Sequence, residues 1–246
     1  MNKKGKIVIV LAIITIIVIG FCYYVSLNTV YLGNNTRAIV FGKKIIKMEN
    51  NNKIVLRKVN YYKDGKKFDG YLKSIKDDNG YSYYAVSKYN KKVSTNDLLA
   101  SGKMLKMNIV SSSNINTSLN DSTLSTINEL LDLKLGSDNI LEYKSITYDI
   151  DNDSSDENVV FIKYRVDTTI TVKIFINDDS VIDILEFEND FTNISSSSNK
   201  VYYLTGVADI NNDNNYEIIV ARIDGDSQPT YYDIYSYENG NIKEIK

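Results

Sequence analysis

Apolar and polar positions along this 246-residue chain follow four patterns in succession. From residue 7 to residue 25 no position carries a charge and Ile and Val dominate. Nineteen such residues in a helix span about 28 Å, close to the thickness of a bilayer core, so the pattern predicts a transmembrane helix. Short runs of β-branched and aromatic residues follow at 38–41, 54–56 and 81–86. They are separated by the turn-forming clusters Asn50-Asn-Asn, Lys63-Asp-Gly-Lys and Asp77-Asp-Asn-Gly, which predicts a small β-meander, with a short helix near 95–100. Leu124, Ile127, Leu130, Leu131 and Leu135 then recur at helical steps, with Asp121 or Ser122 as N-cap and Gly136 as the stop. From residue 140 the period shortens to two, as in Thr169-Ile-Thr-Val-Lys-Ile-Phe-Ile and Ser180-Val-Ile-Asp-Ile-Leu-Glu-Phe, with turns at Asn177-Asp-Asp and 195–199. The expected fold class is mainly β (α+β).

Charge divides what hydropathy leaves continuous. Residues 37–110 hold seventeen Lys and Arg against six Asp and Glu, a net of +11, whereas residues 111–246 hold nine against twenty-five, a net of −16. The overall charge of −2 conceals this dipole. The expected organisation is therefore a tail at 1–6, the membrane helix at 7–25 and a linker at 26–36. A basic β domain at 37–110, a Ser/Asn-rich linker at 111–122 and an acidic β-rich domain at 123–246 follow. Within the last, two repeats are expected near 140–190 and 200–246.

Those repeats are marked by two oxygen-rich loops in one register, Asp149-Ile-Asp-Asn-Asp-Ser-Ser-Asp-Glu157 and Asp209-Ile-Asn-Asn-Asp-Asn-Asn-Tyr-Glu217, sixty residues apart. Six of their first twelve positions are identical. Hard divalent cations take several oxygens at once, and side chains at every second residue of a tight loop converge on one centre. The candidate ligands are Asp149, Asp151, Asp153 and Glu157 with the carbonyl of Ser155, and Asp209, Asn211, Asp213 and Glu217 with the carbonyl of Asn215. An EF-hand would need an acid at the twelfth position and favours glycine at the sixth, but Val160, Val220, Ser154 and Asn214 stand there. Asx-rich hairpin turns without an ion are the competing reading. With Asn211 in place of an acid, the second loop is expected to hold a cation less tightly than the first.

A loop of the form D-[IV]-[DN]-x-D-x-x-x-E running into an apolar strand resembles the calcium loop of FG-GAP and VCBS-type repeats, over about residues 140–246. The closing segment Tyr231-Tyr-Asp-Ile-Tyr-Ser-Tyr-Glu-Asn-Gly-Asn-Ile-Lys-Glu-Ile, with a turn at Asn239-Gly240, resembles the last hairpin of such a repeat. The resemblance implies structural Ca²⁺ at the ten residues just named, two propeller-blade-like repeats and a cell-surface setting.

Lys3, Lys4 and Lys6 precede the apolar segment and no charge follows until Arg37, so the positive-inside rule places the N-terminus in the cytoplasm and the bulk outside. The segment ends in the bulky Phe21-Cys-Tyr-Tyr-Val-Ser-Leu, which favours an uncleaved anchor over a cleaved signal peptide or lipidation at Cys22. The richness in Asn, Lys, Ile and Tyr suits an AT-rich bacterial genome. With no histidine and a single cysteine inside the apolar segment, Ser-His, Cys-His and His-ligated metal chemistry cannot be built. The expectation is a single-pass surface protein that binds rather than catalyses, with an anionic cell-wall polymer, a glycan or another envelope protein as partner and no nucleic acid. An envelope assembly or sensing subunit is the first alternative, and a carboxylate-based carbohydrate-active enzyme the second.

Overall fold

The computed structural model describes residues 3–32, 36–49, 57–63, 66–77, 80–87, 89, 91–93, 99–178, 181–190, 200–224, 230–238 and 240–246. The turns read at Asn50-Asn-Asn and 195–199, the apolar run 54–56, the centres of the turns at 63–66 and 77–80 and the last residue of the turn at 177–179 lie outside those residues, as do Asn239 and all of 95–98. Of the short helix expected near 95–100, the described part, Leu99 and Ala100, belongs instead to a strand.

Helix α1 (Lys3–Leu27) leads directly into sheet A, formed by β1 (Thr29–Leu32), β2 (Thr36–Phe41), β3 (Lys44–Glu49), β4 (Arg57–Lys63), β5 (Lys66–Asp77), β6 (Gly80–Ser87) and β7 (Leu99–Gly102). Its strands lie in the order β3-β2-β1-β7-β4-β5-β6, all antiparallel. The stretch 26–36, expected as a linker, thus contains β1, whose four residues are all buried. Thr29 Oγ1 donates to Val25 O (2.6 Å) and Val40 N to Asn28 O (2.9 Å), so the helix end is stitched to the sheet.

Two further sheets repeat one plan. Sheet C is the meander β10 (Ile140–Tyr148), β11 (Glu157–Val166), β12 (Thr169–Asn177) and β13 (Val181–Asp190). Sheet B is the meander β14 (Lys200–Asp209), β15 (Glu217–Asp224), β16 (Thr230–Glu238) and β17 (Asn241–Ile245). The segment joining the basic and acidic halves supplies one two-residue strand to each, β8 (Asn108–Ile109) beside β14 and β9 (Ile115–Asn116) beside β10. Both oxygen-rich loops fall at the same place, between the first and second strands of a meander.

Strand alternation explains how the sheets stack. In β15, Ile219 and Ala221 face sheet A, joining Val30, Leu32, Val40 and Ile45 in one apolar cluster. Ile218 and Val220 face the other way, onto Ile146, Phe161, Ile174 and Ile176 of sheet C. Sheet B therefore lies between A and C, and helix α2 (Asp121–Leu130) covers the far face of C through Leu124 and Ile127. Buried alternate positions on both faces of B hold the layers, each such side chain contributing about 1.5–3 kcal/mol. The halves that charge separates thus share a core. At their joint Lys47 Nζ meets Asp233 Oδ1 at 2.7 Å, both nearly buried, and Tyr232 N donates to Thr36 Oγ1 at 2.8 Å.

Helix α2 starts and stops earlier than its leucine spacing predicts. Asn120 caps it, its Oδ1 accepting from Thr123 N at 2.8 Å. Its end is fixed by Asn128, whose side chain accepts from Leu135 N and donates to Leu135 O, both at 2.9 Å, folding residues 131–135 back; Asp132 adopts φ +50° there. Leu135 still reaches the same cluster from the loop.

Candidate metal centre

Each loop is built around the carboxylate at its first position. Asp149 Oδ1 accepts from Asp153 N and Oδ2 from Ser154 N, both at 3.1 Å; Asp209 accepts from Asp213 N and Asn214 N at the same distances. The fifth residue then accepts from the seventh, Ser155 N to Asp153 Oδ1 at 2.7 Å and Asn215 N to Asp213 Oδ1 at 3.0 Å. The ninth residue closes the loop: Glu157 Oε2 accepts from Ile150 N at 2.7 Å, and Glu217 Oε2 from Ile210 N at 2.8 Å. Both isoleucines are fully buried and pin the loops to the core.

These bonds curl the chain tightly enough to require left-handed backbone at the fourth and sixth positions. Asn152 and Ser154 have φ of +62° and +79°, and Asn212 and Asn214 of +59° and +72°. Asn tolerates this region better than most residues, so the loops reach, without glycine, the sharp turn that glycine serves in cation loops.

Curling brings Asp149, Asp151 and Asp153 together, with one carboxylate oxygen of each lying within 4.8 Å of the others. Oxygens on opposite sides of a calcium ion at 2.3–2.6 Å would be about 5 Å apart, so this set has the size of one coordination shell. In the second loop Asp209 and Glu217 are buried, and Asn211 replaces one acid. Asn211 Nδ2 donates to Asp213 Oδ2 at 3.2 Å and to Lys43 O at 2.9 Å, tying this loop to the β2–β3 hairpin of sheet A.

Electrostatics also favour a cation. Burial pushes Glu217 up to about 8; the Ile210 N–H bond opposes the shift, and the charges of Asp213 and Asp209 add to it. Burial likewise raises Glu157, with Asp151, Asp153 and Asp178 adding to the shift, and raises Asp209 against three backbone N–H bonds. Carboxylates that resist ionisation beside their neighbours are relieved when a divalent ion enters. Asp149, Asp151 and Asp153 thus form a donor set that could hold a hard cation, whereas among the described residues Glu157 lies outside that set and Asp209, Asp213 and Glu217 of the second loop do not gather into one.

Spacing alone misses the link between the loops. Tyr216 N donates to Ile150 O at 2.7 Å, and the Tyr148 and Tyr216 hydroxyls meet at 3.0 Å with ring centroids 4.7 Å apart. The signal in the sequence is that the eighth position is Asp156 in one copy and Tyr216 in the other. The second loop also borders a cavity of about 830 Å³, lined by Asp213 and Tyr216 together with Lys43, Lys44, Lys243 and Glu244.

Helix α1 contains one stretch long and apolar enough to cross a membrane, Ile9–Leu27, with a mean hydropathy of 2.6 and none of it buried against the rest of the chain. An anchor and a signal sequence both have this form. No protein-family model, no curated protein and no solved structure matches the chain.

Proposed function

We propose that this chain is a single-pass extracytoplasmic binding protein of a bacterial surface, anchored by α1 with the N-terminus in the cytoplasm, and that its two loops hold structural Ca²⁺. The observation that carries the reading is the duplication. Two four-stranded meanders place the same loop at the same turn, and four backbone-to-carboxylate bonds are made in both by equivalent residues. This supports the resemblance to FG-GAP and VCBS-type repeats in the loop itself. In this reading the ion orders an acidic half that otherwise repels itself, and no catalytic role is assigned. The partner is an anionic wall polymer, a glycan or another envelope protein.

Calorimetric titration of calcium into the chelator-treated full chain in detergent tests it. Two saturable events in the range of roughly 0.1–1 mM, with Asp149→Ala and Asp209→Ala each abolishing one, are expected; no heat and no rise in melting temperature at millimolar calcium would refute the reading. A sensing or assembly subunit is the second reading, favoured by the stitched junction, because a helix end bonded to a sheet transmits its displacement rather than absorbing it.

A further inference from the structure

We infer that the tip of the β2–β3 hairpin, residues 41–44, is a second membrane contact that seats sheet A on the bilayer, with Phe41 at the apolar boundary and Lys43 and Lys44 among phosphate-bearing lipid headgroups. The inference rests on the reading of α1 as a membrane span and adds to it a surface and a lipid chemistry.

The aromatic contacts fix the position. Phe41 stacks on Phe21 and Tyr24, with ring centroids 6.4 and 6.0 Å apart. Both partners lie inside the apolar stretch Ile9–Leu27. Phe21 is six residues before Leu27, about 9 Å lower along a helix axis, so a ring stacked on it sits at the depth where aromatic side chains gather at membrane boundaries.

The hairpin cannot swing clear of that position. Phe41 pairs with Lys44 across a two-residue turn whose first residue, Gly42, has φ +60°, the place where a type II′ turn takes glycine. Val40 N is bonded to Asn28 O, and Met104 N to Leu27 O at 3.4 Å. A Cβ added at Gly102 would lie 2.1 Å from Leu27 O, so sheet and helix end are in direct backbone contact. Met104, 62% exposed, flanks the helix end from the β7 side.

The lysines follow the aromatic as an interface requires. Lys43 and Lys44 are exposed and make no ion pair among the described residues, while Glu244, across the cavity they line, is bridged to Lys47 at 3.5 Å. Lysines two and three residues beyond a ring at the apolar boundary reach headgroup phosphates with their stems along the interface.

The chain has no tryptophan, so a single introduced tryptophan reports its own depth. The full chain in lipid nanodiscs carrying acyl-brominated phosphatidylcholine would be compared as Ile16→Trp, Phe41→Trp, Met104→Trp and Lys66→Trp, the last lying toward the opposite edge of sheet A by register. Quenching at positions 41 and 104 within about threefold of that at 16, and absent at 66, is expected. An unquenched Ile16→Trp would sink the anchor reading itself. A quenched Ile16→Trp with positions 41 and 104 as silent as 66 would overturn the hairpin contact alone. Replacing part of the lipid with phosphatidylglycerol should raise quenching at 41 roughly 1.5-fold, and the Lys43→Gln/Lys44→Gln pair should abolish that rise. No response to phosphatidylglycerol would overturn the headgroup assignment, and Met104→Trp reads the same geometry should Phe41→Trp not fold.

Discussion

In the cation-free protein, stability should fall as pH rises, opposite to the usual behaviour of carboxylates that are paired in the fold. Glu217 has its carboxyl raised from 4.5 to about 8 by burial beside Asp213 and Asp209. A group whose folded pKa exceeds its unfolded value binds its proton more tightly when folded, so its contribution is complete below about 4.5 and is lost as pH climbs through about 8. At about 1.36 kcal/mol per unit the ceiling is roughly 5 kcal/mol, and relaxation around the site leaves an expected loss on the order of 2–5 kcal/mol between pH 5 and 8.5. For a chain of this size that is a fall in melting temperature on the order of 5–15 °C. Glu157 and Asp209 are shifted in the same direction and steepen the slope. Calcium replaces the proton, so its stabilising effect should grow with pH, reaching about 1.4–2.7 kcal/mol per site at 10 mM ion if binding is in the range of roughly 0.1–1 mM. The assay is a set of melts with chelator and with calcium across that pH range, on the parent and on Glu217→Gln, whose amide oxygen still accepts from Ile210 N. A flat profile in chelator, or a Glu217→Gln slope equal to the parent's, would refute the argument.

Three further perturbations probe separate parts of the structure. Asn211→Asp should tighten the second site several-fold in calorimetry while costing the cation-free protein about 1–3 kcal/mol, because the amide's bonds to Lys43 O and Asp213 Oδ2 are lost. Ile219→Ala, at a fully buried position between sheets A and B, should cost about 2–5 kcal/mol and lower one melting transition shared by both halves; a second transition left in place would show that the halves fold independently. Gly102→Ala drives a methyl into Leu27 O and should destabilise by about 1–3 kcal/mol or more, read as earlier proteolysis between α1 and β1.

What the sequence revealed and what it concealed differ in range. The loops were legible because the backbone-to-carboxylate bonds that curl them join residues at most seven apart, so spacing and residue type contain most of that local geometry. Strands β12 and β13 of sheet C announced themselves by their period of two. Strand β1 did not, since four uncharged residues beside a membrane segment read as linker, and its partner Leu99–Gly102 lies about seventy residues on. The shared core was hidden for a related reason. Net charges of opposite sign suggested separate units, yet the layers meet through alternate apolar positions that charge counting ignores, and the opposing charges meet locally at Lys47 and Asp233, 186 residues apart. The early end of α2 came from one asparagine side chain capturing the backbone seven residues ahead, a bond no leucine spacing can show.

These long-range contacts link the two loops, the β2–β3 hairpin and α1. Asn211 joins the second loop to the carbonyl of Lys43, Phe41 two residues earlier stacks on α1, and Tyr216 joins the second loop to the first. Acidic loops beside an anionic surface repel it, so without a cation the same lysines must offset both the loops and their mutual repulsion. A divalent ion removes that conflict at short range, where screening by salt is least effective. In the proposed reading the chain's charge dipole would have a physical role. In that reading the basic half would supply the residues that face lipid and the acidic half the oxygens for the ion, and the hydrogen bond from Asn211 to Lys43 O joins the two.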